Sequence, residues 1–283
     1  MSEIAPPLRD ALTLALAFVA GVLSGAFSMG GQVLMKPGIR LLGASALDAV
    51  GTTVPMILPT VASATLRYVR QGLVDWSIVR WAAPAGAVGA VAGSLAAPRV
   101  PGGGHLLQLA TAVLMAVSGL RILRRPPAVE PVVAPPIGPN APLLGDASDG
   151  APRYAPAPPR HTAHALVGGA SGVLSGLLGV GGGVVMVPAF TQILRLPLLT
   201  SIATSLVCAG AFAIPATVAH ASLGTIHWRF AILLIIGAVP GARVGASLAI
   251  RASDRRLRAA VGIIMTIVAV SYAVSEVTAL TAR

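Results

Sequence analysis

The sequence predicts an all-α polytopic membrane protein with two inverted repeats of about five hydrophobic segments each, including glycine-broken or re-entrant segments. Three observations support this class: an apolar composition, a duplicated glycine motif, and short runs at matching positions. Hydrophobic residues make up 55% of the 283 residues and charged residues only 10%, whereas soluble domains carry roughly 25% charged residues. Most of the chain is therefore expected to face lipid.

The basic residues do not indicate nucleic-acid binding. The net charge is +11, carried by 19 Arg and one Lys. Most of these arginines stand at the ends of apolar runs, where basic residues set topology and meet anionic head groups. Membrane lipids are the expected partner of these charges.

A 17-residue motif occurs twice. Residues 21–37 and 172–188 align at a constant offset of 151 and agree at 10 positions. In each copy a glycine-dense break separates two apolar runs, and a proline follows about one turn later. Such agreement indicates a duplicated unit. Further matched pairs extend it, the later ones after a one-residue gap: Thr53 and Thr204, Gly72 and Gly224, Trp76 and Trp228, Arg99 and Arg251.

The hydrophobic runs give the order of segments. A tail (1–10) precedes a first transmembrane repeat (11–125), a Pro-rich linker (126–160) and a second transmembrane repeat (161–283). The linker composition predicts an extended or disordered cytoplasmic segment. The predicted runs lie at about 11–28, 33–43, 46–66, 78–97, 105–123, 163–180, 183–195, 198–221, 228–250 and 257–279.

Two of these runs, 33–43 and 183–195, are shorter than the roughly 20 residues that a spanning helix needs. Each is therefore either re-entrant, giving eight crossings, or a broken crossing, giving ten. Ten crossings place 13 basic residues on the linker side and 6 opposite, whereas eight give 11 and 8. The positive-inside rule favours ten, with a cytoplasmic linker. An odd number per half makes the repeats inverted.

Inverted repeats with glycine-interrupted segments at matching positions are typical of secondary transporters and of their binding sites. Non-helical backbone at membrane depth is tolerated only where protein or a water-filled cavity surrounds it. The helix that follows a break presents free N–H groups, which favour an anion. The candidate anion-binding residues are Gly30, Gly31 and Gln32 in the first copy and Gly179, Gly181, Gly182 and Gly183 in the second.

Close helix packing is the alternative role for these glycines. The copies also differ, because Ser28 stands at the position of Gly179 and Gln32 at that of Gly183. The first half therefore offers side-chain hydrogen bonds where the second offers bare backbone. The prolines Pro55, Pro59 and Pro215 predict further broken or kinked helices.

The hydroxyls of Thr53, Thr204 and Ser205 are candidate anion ligands, or they bond back to carbonyls of their own helices. Arg243 is the basic residue well inside a run, where a central charge costs about 2.5–3.5 kcal/mol and suggests function. It attracts the substrate or snorkels to the interface.

Other chemistry is not indicated. The single cysteine, Cys208, excludes an intrachain disulfide, and no catalytic or metal-ligand pattern stands out, so we expect neither an enzyme nor a cofactor. Asp48 and Asp75 are the membrane-adjacent acids of the first half. Protonation of His220 could couple a proton to transport, but an interfacial position explains this residue equally.

The segment 176–190, Gly-Leu-Leu-Gly-Val-Gly-Gly-Gly-Val-Val-Met-Val-Pro-Ala-Phe, resembles the signature of the sulfite exporter TauE/SafE family. Its copy at 25–37 and the segment 241–245 resemble the same family. The resemblance implies a multi-pass protein of the bacterial inner membrane that moves small anions such as sulfite or organosulfonates.

These observations together predict a secondary permease or exporter of small anions, with alternating access at a midplane site between the repeats. A channel-like anion pore is the first alternative. A membrane scaffold or regulatory subunit without transport is the second. The sequence leaves open the coupling ion and the oligomeric state.

Overall fold

A computed structural model describes residues 6–28, 46–96, 105–124, 161–178, 182–222, 224 and 226–281. Within these residues the chain forms nine α-helices and no β-strand, which confirms the all-α class. The predicted run 33–43 and the linker 126–160 lie outside the described residues. The helices are α1 Pro6–Phe27, α2 Ala46–Arg70, α3 Trp76–Ala96, α4 His105–Arg124, α5 His161–Leu178, α6 Gly182–Gln192, α7 Leu198–Ser222, α8 Trp228–Arg251 and α9 Asp254–Thr281.

Four of the described helices are long and apolar enough to cross a membrane. The segments that meet this criterion are Asp10–Phe27 in α1, Trp76–Ala96 in α3, Leu198–Pro215 in α7 and Trp228–Arg251 in α8. Large apolar side chains also cover the outside of the helices, with Val88 72% exposed on α3 and Leu166 72% exposed on α5. An apolar outer surface suits lipid and not water, so the chain is a membrane protein.

The turns that flank α3 explain its limits. Asp75 is the N-cap: its Oδ1 accepts hydrogen bonds from the backbone N–H of Ser77 (3.0 Å) and of Ile78 (3.3 Å). Before it, Gly72 ends α2 with a φ of 65°, and its repeat counterpart Gly224 follows α7 with a φ of 66°. A positive φ favours glycine, so the repeat preserves the same helix stop in both halves.

Helices α3 and α5 touch through their backbones. Gly168, Gly172 and Gly176 recur one turn apart on α5 and lie against α3. A Cβ on any of them would overlap a carbonyl oxygen of α3, from Ala82, Gly86 and Ala90 respectively. Because the residue numbers rise together on both helices, α3 and α5 run parallel.

The same contact occurs between α1 and α8. A Cβ on Gly21 or Gly25 of α1 would overlap the carbonyl oxygen of Ala238 or Ala242 of α8. Gly21 and Gly25 are the repeat counterparts of Gly172 and Gly176. Each pair therefore joins one helix of the first half to one helix of the second.

The turns that precede α3 and α8 each form a hydrogen bond to a helix of the other half. The backbone N–H of Asp75 donates to Thr204 Oγ1 on α7 (3.1 Å), and the backbone N–H of His227 donates to Thr52 Oγ1 on α2 (3.1 Å). The end of α2 therefore lies near the start of α7, and the start of α2 lies near the end of α7. These two helices run antiparallel and meet where Gly210 lies beside Val61.

The prolines do not break these helices. Pro55 and Pro59 lie inside α2, and Pro215 lies inside α7, and both helices are continuous. A hydroxyl accompanies two of these sites: Thr60 donates to the carbonyl of Met56 (2.6 Å), and Thr217 donates to that of Ala213 (2.7 Å). The helices are therefore not broken at these prolines, and the kinked alternative stays a prediction.

Adjacent glycines on α5 provide a test of the backbone contact. We expect Gly168→Ala to destabilise the protein by about 1–3 kcal/mol, the usual effect of overpacking, because its Cβ would overlap Ala82. We expect Gly169→Ala to be neutral or slightly stabilising, because its Cβ would lie 3.8 Å from the Ala85 oxygen and alanine favours helix. Thermal unfolding in detergent measures both, and equal melting temperatures for the two variants would contradict the contact.

Candidate functional site

Helix α1 ends at the point where the first glycine break begins. Ser28 follows Phe27 with a φ of 56°, and its backbone N–H still donates to the carbonyl of Ser24 (2.9 Å). This left-handed conformation after a helix is the usual stop, although glycine more often occupies it. The chain therefore turns away from the helix axis at a buried serine, which is only 1% exposed.

The two copies of the motif meet at this serine. Gly183, the second residue of α6, lies directly against Ser28, and a Cβ there would overlap the Ser28 carbonyl oxygen. The same Cβ would lie 2.6 Å from Ser28 Oγ. Only glycine allows this approach, so Gly183 serves close packing between the two copies of the motif.

The Ser28 hydroxyl is buried beside the start of α6 and has no hydrogen-bond partner among the described residues. Buried polar atoms are nearly always paired, and an unpaired one calls for an explanation. The first N–H groups of a helix also lack intrahelical partners and carry the positive end of its dipole. A hydroxyl and backbone N–H groups together can bind an oxyanion.

This junction lies deep among the helices. Gly182, the first residue of α6, lies against the ring of Phe212, where a Cβ would be 2.9 Å from the ring. Phe212 stands about 21 Å from the first residue of α7 and about 15 Å from the last, at 1.5 Å per residue. It also borders Gly86 of α3. The start of α6 is therefore level with the middle of α7.

The structure gives two of the three predicted hydroxyls partners elsewhere in the fold. Thr204 accepts the backbone N–H of Asp75, and Ser205 donates to the carbonyl of Ile202 (3.0 Å), the back-bonding alternative. Thr53 is fully buried on α2. Because α2 and α7 run antiparallel and meet at Val61 and Gly210, Thr53 and Thr204 are separated along the helices by about 20 Å.

Arg243 lies on the exposed side of α8, while its neighbours Gly241 and Ala242 are buried against α1. It stands level with Gly25, because Ala242 packs on that glycine. The structure does not place its guanidinium in contact with the junction. The other predicted glycine-site residues, Gly30, Gly31, Gln32, Gly179 and Gly181, lie outside the described residues.

Two members of the junction are not among the candidate ligands that the sequence predicts. The sequence indicates that Ser28, at the position of Gly179, adds a side-chain hydrogen-bonding group, but not that its hydroxyl lies at the start of α6. Phe212 gave no signal, because one aromatic residue in an apolar run indicates packing. In the part of the chain that is described, no group of three or more His, Cys, Asp or Glu could hold a metal.

Comparison with known proteins adds a second line of evidence. Residues 13–272 match the family model described as Sulfite exporter TauE/SafE. Over 257 residues the chain is 28% identical to a "Probable membrane transporter protein" of Xylella fastidiosa strain 9a5c, with 89% of each protein covered. It is 24% identical over 253 residues to the "Probable membrane transporter protein YunE" of Bacillus subtilis, covering 84% of this chain and 87% of YunE.

A longer relative matches through only part of its length. The chain is 31% identical over 251 residues to the "Probable membrane transporter protein MamO" of Magnetospirillum gryphiswaldense, covering 83% of this chain. It spans about two fifths of MamO, 40% of that protein. No solved structure matches the chain. The match over nearly the whole length, on a helical membrane fold with the repeated glycine motif, shows that the chain belongs to the sulfite exporter TauE/SafE family.

Proposed function

We propose that the chain is a secondary transporter of small anions such as sulfite or organosulfonates, and that it binds them where Ser28 meets the start of α6. Family membership and relatives named as probable membrane transporters support the general class. One observation carries the site. It is the unpartnered, buried Ser28 hydroxyl beside the N-terminus of a short helix in the interior of the protein.

The electrostatics of this position suit an anion. Helix α6 contains no ionisable side chain, so the field at its start comes from its own peptide dipoles. That field corresponds to about half a positive charge at a helix N-terminus, and low-dielectric surroundings strengthen it. The anion would accept hydrogen bonds from the first N–H groups of α6 and from Ser28, as sulfite and sulfonate oxygens can.

Helix directions support inverted repeats. Helices α3 and α5 run parallel, and Asp75 at the start of α3 bonds Thr204 near the start of α7. Gly86, farther along α3, lies beside Phe212, farther along α7. Helices α5 and α7 therefore point the same way, which requires the segment between them to bring the chain back. Together with charge asymmetry, this favours ten crossings with a cytoplasmic linker.

The proposed motion uses bundles that mix the two halves. Helices α1, α2 and α8 contact one another, α3 contacts α5 and α7, and α6 contacts α5 and α7, while α2 and α7 join the two groups. Ser28 belongs to the first bundle and Gly183 to the second, so the anion would sit between them. We propose that alternating access is a rocking of one bundle against the other, which opens this junction to each side in turn.

Removal of the Ser28 hydroxyl tests anion binding independently of helix packing. In a thermal-shift panel of sulfite, thiosulfate, methanesulfonate and acetate, we expect at least one anion to raise the melting temperature of the wild type. Ser28→Ala should weaken the apparent affinity for this anion about tenfold, because a lost hydrogen bond to a charged group costs about 1.5–3 kcal/mol. The anion should then raise the melting temperature of the variant less. Without anion, Ser28→Ala should melt at the same or a higher temperature, since an unpaired buried hydroxyl is removed.

Ser63 is the matched control. Its hydroxyl is buried, but it donates to the carbonyls of Thr60 (2.8 Å) and Val239 (3.2 Å). We expect Ser63→Ala to lower the melting temperature without anion and to leave the anion-induced rise unchanged. An anion-induced rise in Ser28→Ala that equals the wild-type rise would rule out the proposed ligand.

Gly182 tests the site by flux. In proteoliposomes we expect Gly182→Leu to abolish anion flux, and Gly182→Ala to reduce it because its Cβ presses on Phe212. The double variant Gly182→Ala with Phe212→Leu should recover part of the flux, since the shorter side chain makes room. Unchanged flux in Gly182→Leu would contradict the site.

The same proteoliposomes separate the proposed carrier from the other functions. Saturating flux with counterflow indicates a carrier, and single-channel currents indicate a pore. A protein that neither binds nor moves any anion of the panel would be a scaffold.

A further inference from the structure

Two buried ionisable side chains lie where α3 and α5 begin. Asp75 directly precedes α3 and is 5% exposed, and His164 stands in the first turn of α5 and is 2% exposed. Because α3 and α5 are parallel and in backbone contact, these residues share one end of the helix pair. Burial disfavours the charged form of the His164 imidazole, whereas the Asp75 carboxylate favours it. The acid comes from the first half and the imidazole from the second.

In the part of the chain that the structure describes, each of these side chains has one buried polar atom without a hydrogen-bond partner. Asp75 Oδ1 accepts hydrogen bonds from the Ser77 hydroxyl (2.6 Å) and from backbone N–H groups, whereas Asp75 Oδ2 is buried without a hydrogen bond. His164 Nδ1 is likewise buried and unpaired. Leaving such atoms unsatisfied costs about 1–3 kcal/mol each, more when charged. A proton bound by the imidazole would make Nδ1 a donor and put a positive charge beside the carboxylate.

Other ionisable residues also lie on the helices around Asp75 and His164. His161 stands one turn before His164, also acts on its charge, and its ring contacts that of Trp81 with centroids 5.0 Å apart. Helix α6 carries no ionisable group. The remaining ionisable residues on the helices near the pair are Arg67, Tyr68 and Arg70 at the end of α2, Arg80 on α3, His105, Arg121 and Arg124 on α4, and Cys208 and His220 on α7, with Arg195 in the turn before α7.

The repeat does not reproduce the pair. The counterpart of Asp75 is His227, and the counterpart of His164 is Thr13. The equivalent end of α1 and α8 instead carries an exposed ion pair between Arg229 and Asp10 (3.0 Å). A buried acid–imidazole pair therefore occurs at one of two equivalent places, so close packing of these helices does not require it.

We propose that Asp75 and His164 form a proton-binding site and that its protonation is coupled to transport. The coupling rests on the proposed transport function, whereas proton binding does not. The pair is well placed for it: the backbone of Asp75 holds Thr204 of α7, and α5 leads into the break before α6. A change of charge here acts on the bundle that presents the start of α6 to the anion.

The first experiment tests proton binding on the purified full-length protein. With 15N-labelled histidine, NMR should show an imidazole that titrates between about pH 5 and 8, the range open to histidine. This resonance should disappear in His164→Gln, and its midpoint should move to lower pH in Asp75→Asn, because the negative charge that favours the imidazolium is removed. Asparagine caps a helix as well as aspartate, so α3 should persist. A His164 resonance that never titrates, or that ignores Asp75→Asn, overturns the site.

The second experiment tests coupling with thiosulfate, which stays fully ionised across this range. Proteoliposomes with pyranine inside report pH while 35S-thiosulfate reports anion flux. We expect wild-type flux to move protons, whereas Asp75→Asn and His164→Gln should lose proton movement and proton-driven accumulation but keep thiosulfate counterflow. The control His227→Gln changes the exposed counterpart histidine and should behave as wild type.

The two arms distinguish the failures. Thiosulfate flux without proton movement in the wild type overturns the coupling and leaves the transport function intact. Unchanged proton movement in both variants overturns the role of the pair. A His164 that titrates in a protein that moves no thiosulfate supports the proton site and counts against thiosulfate transport.

Discussion

Close contact between helix backbones is the constraint on which this fold depends. Lipid gives apolar helices no hydrophobic reason to associate, so packing at short range must hold them together. The glycines of α1, α3, α5 and α8 allow carbonyl oxygens of one helix to reach the position where the other would carry a Cβ. Because both contacts join opposite halves of the chain, the halves cannot form separate domains.

The interlocked arrangement decides where the short helix can start. Helix α5 is fixed on α3, and α7 is tied to the turn before α3 through Thr204, so α6 must fit between them. Its first residues then face the end of α1, which α8 holds in place. The junction of Ser28 and Gly183 therefore follows from packing, and the binding role that we propose there uses a geometry that the packing already supplies.

Much of this could be predicted from the sequence because glycine spacing reports backbone approach. The hydrophobic runs predicted the order of the described helices. The glycine breaks at 29–32 and 179–181 lie outside the described residues, and the inverted repeat stays a prediction. The hydrogen-bond partners of the hydroxyls, in contrast, could not be predicted from the sequence. Whether Ser205 faces a ligand or its own Ile202 carbonyl depends on its rotamer, and Thr204 pairs with a turn of the other half. Neither partner is visible in local sequence.

Arg243 shows a second limit. A charge within an apolar run suggests function, but its direction depends on which face of α8 the partner helix covers. Gly241 and Gly245 both face α1, so the residues between them divide between a buried and an exposed side, and Arg243 falls on the exposed side. The position of the charge within a run could be predicted from the sequence, whereas its orientation required the packed structure.

The differences between the two copies carry more chemical information than their agreement. Agreement preserves the frame: the glycines, the helix stops at Gly72 and Gly224, and the exchanged turn bonds recur in both halves. Divergence occurs where polar groups are buried without partners, at Ser28, Asp75 and His164. Each of these three residues stands where the matching copy has a different residue. The anion and proton sites that we propose therefore draw on groups that one half has and the other lacks, while the shared frame positions them.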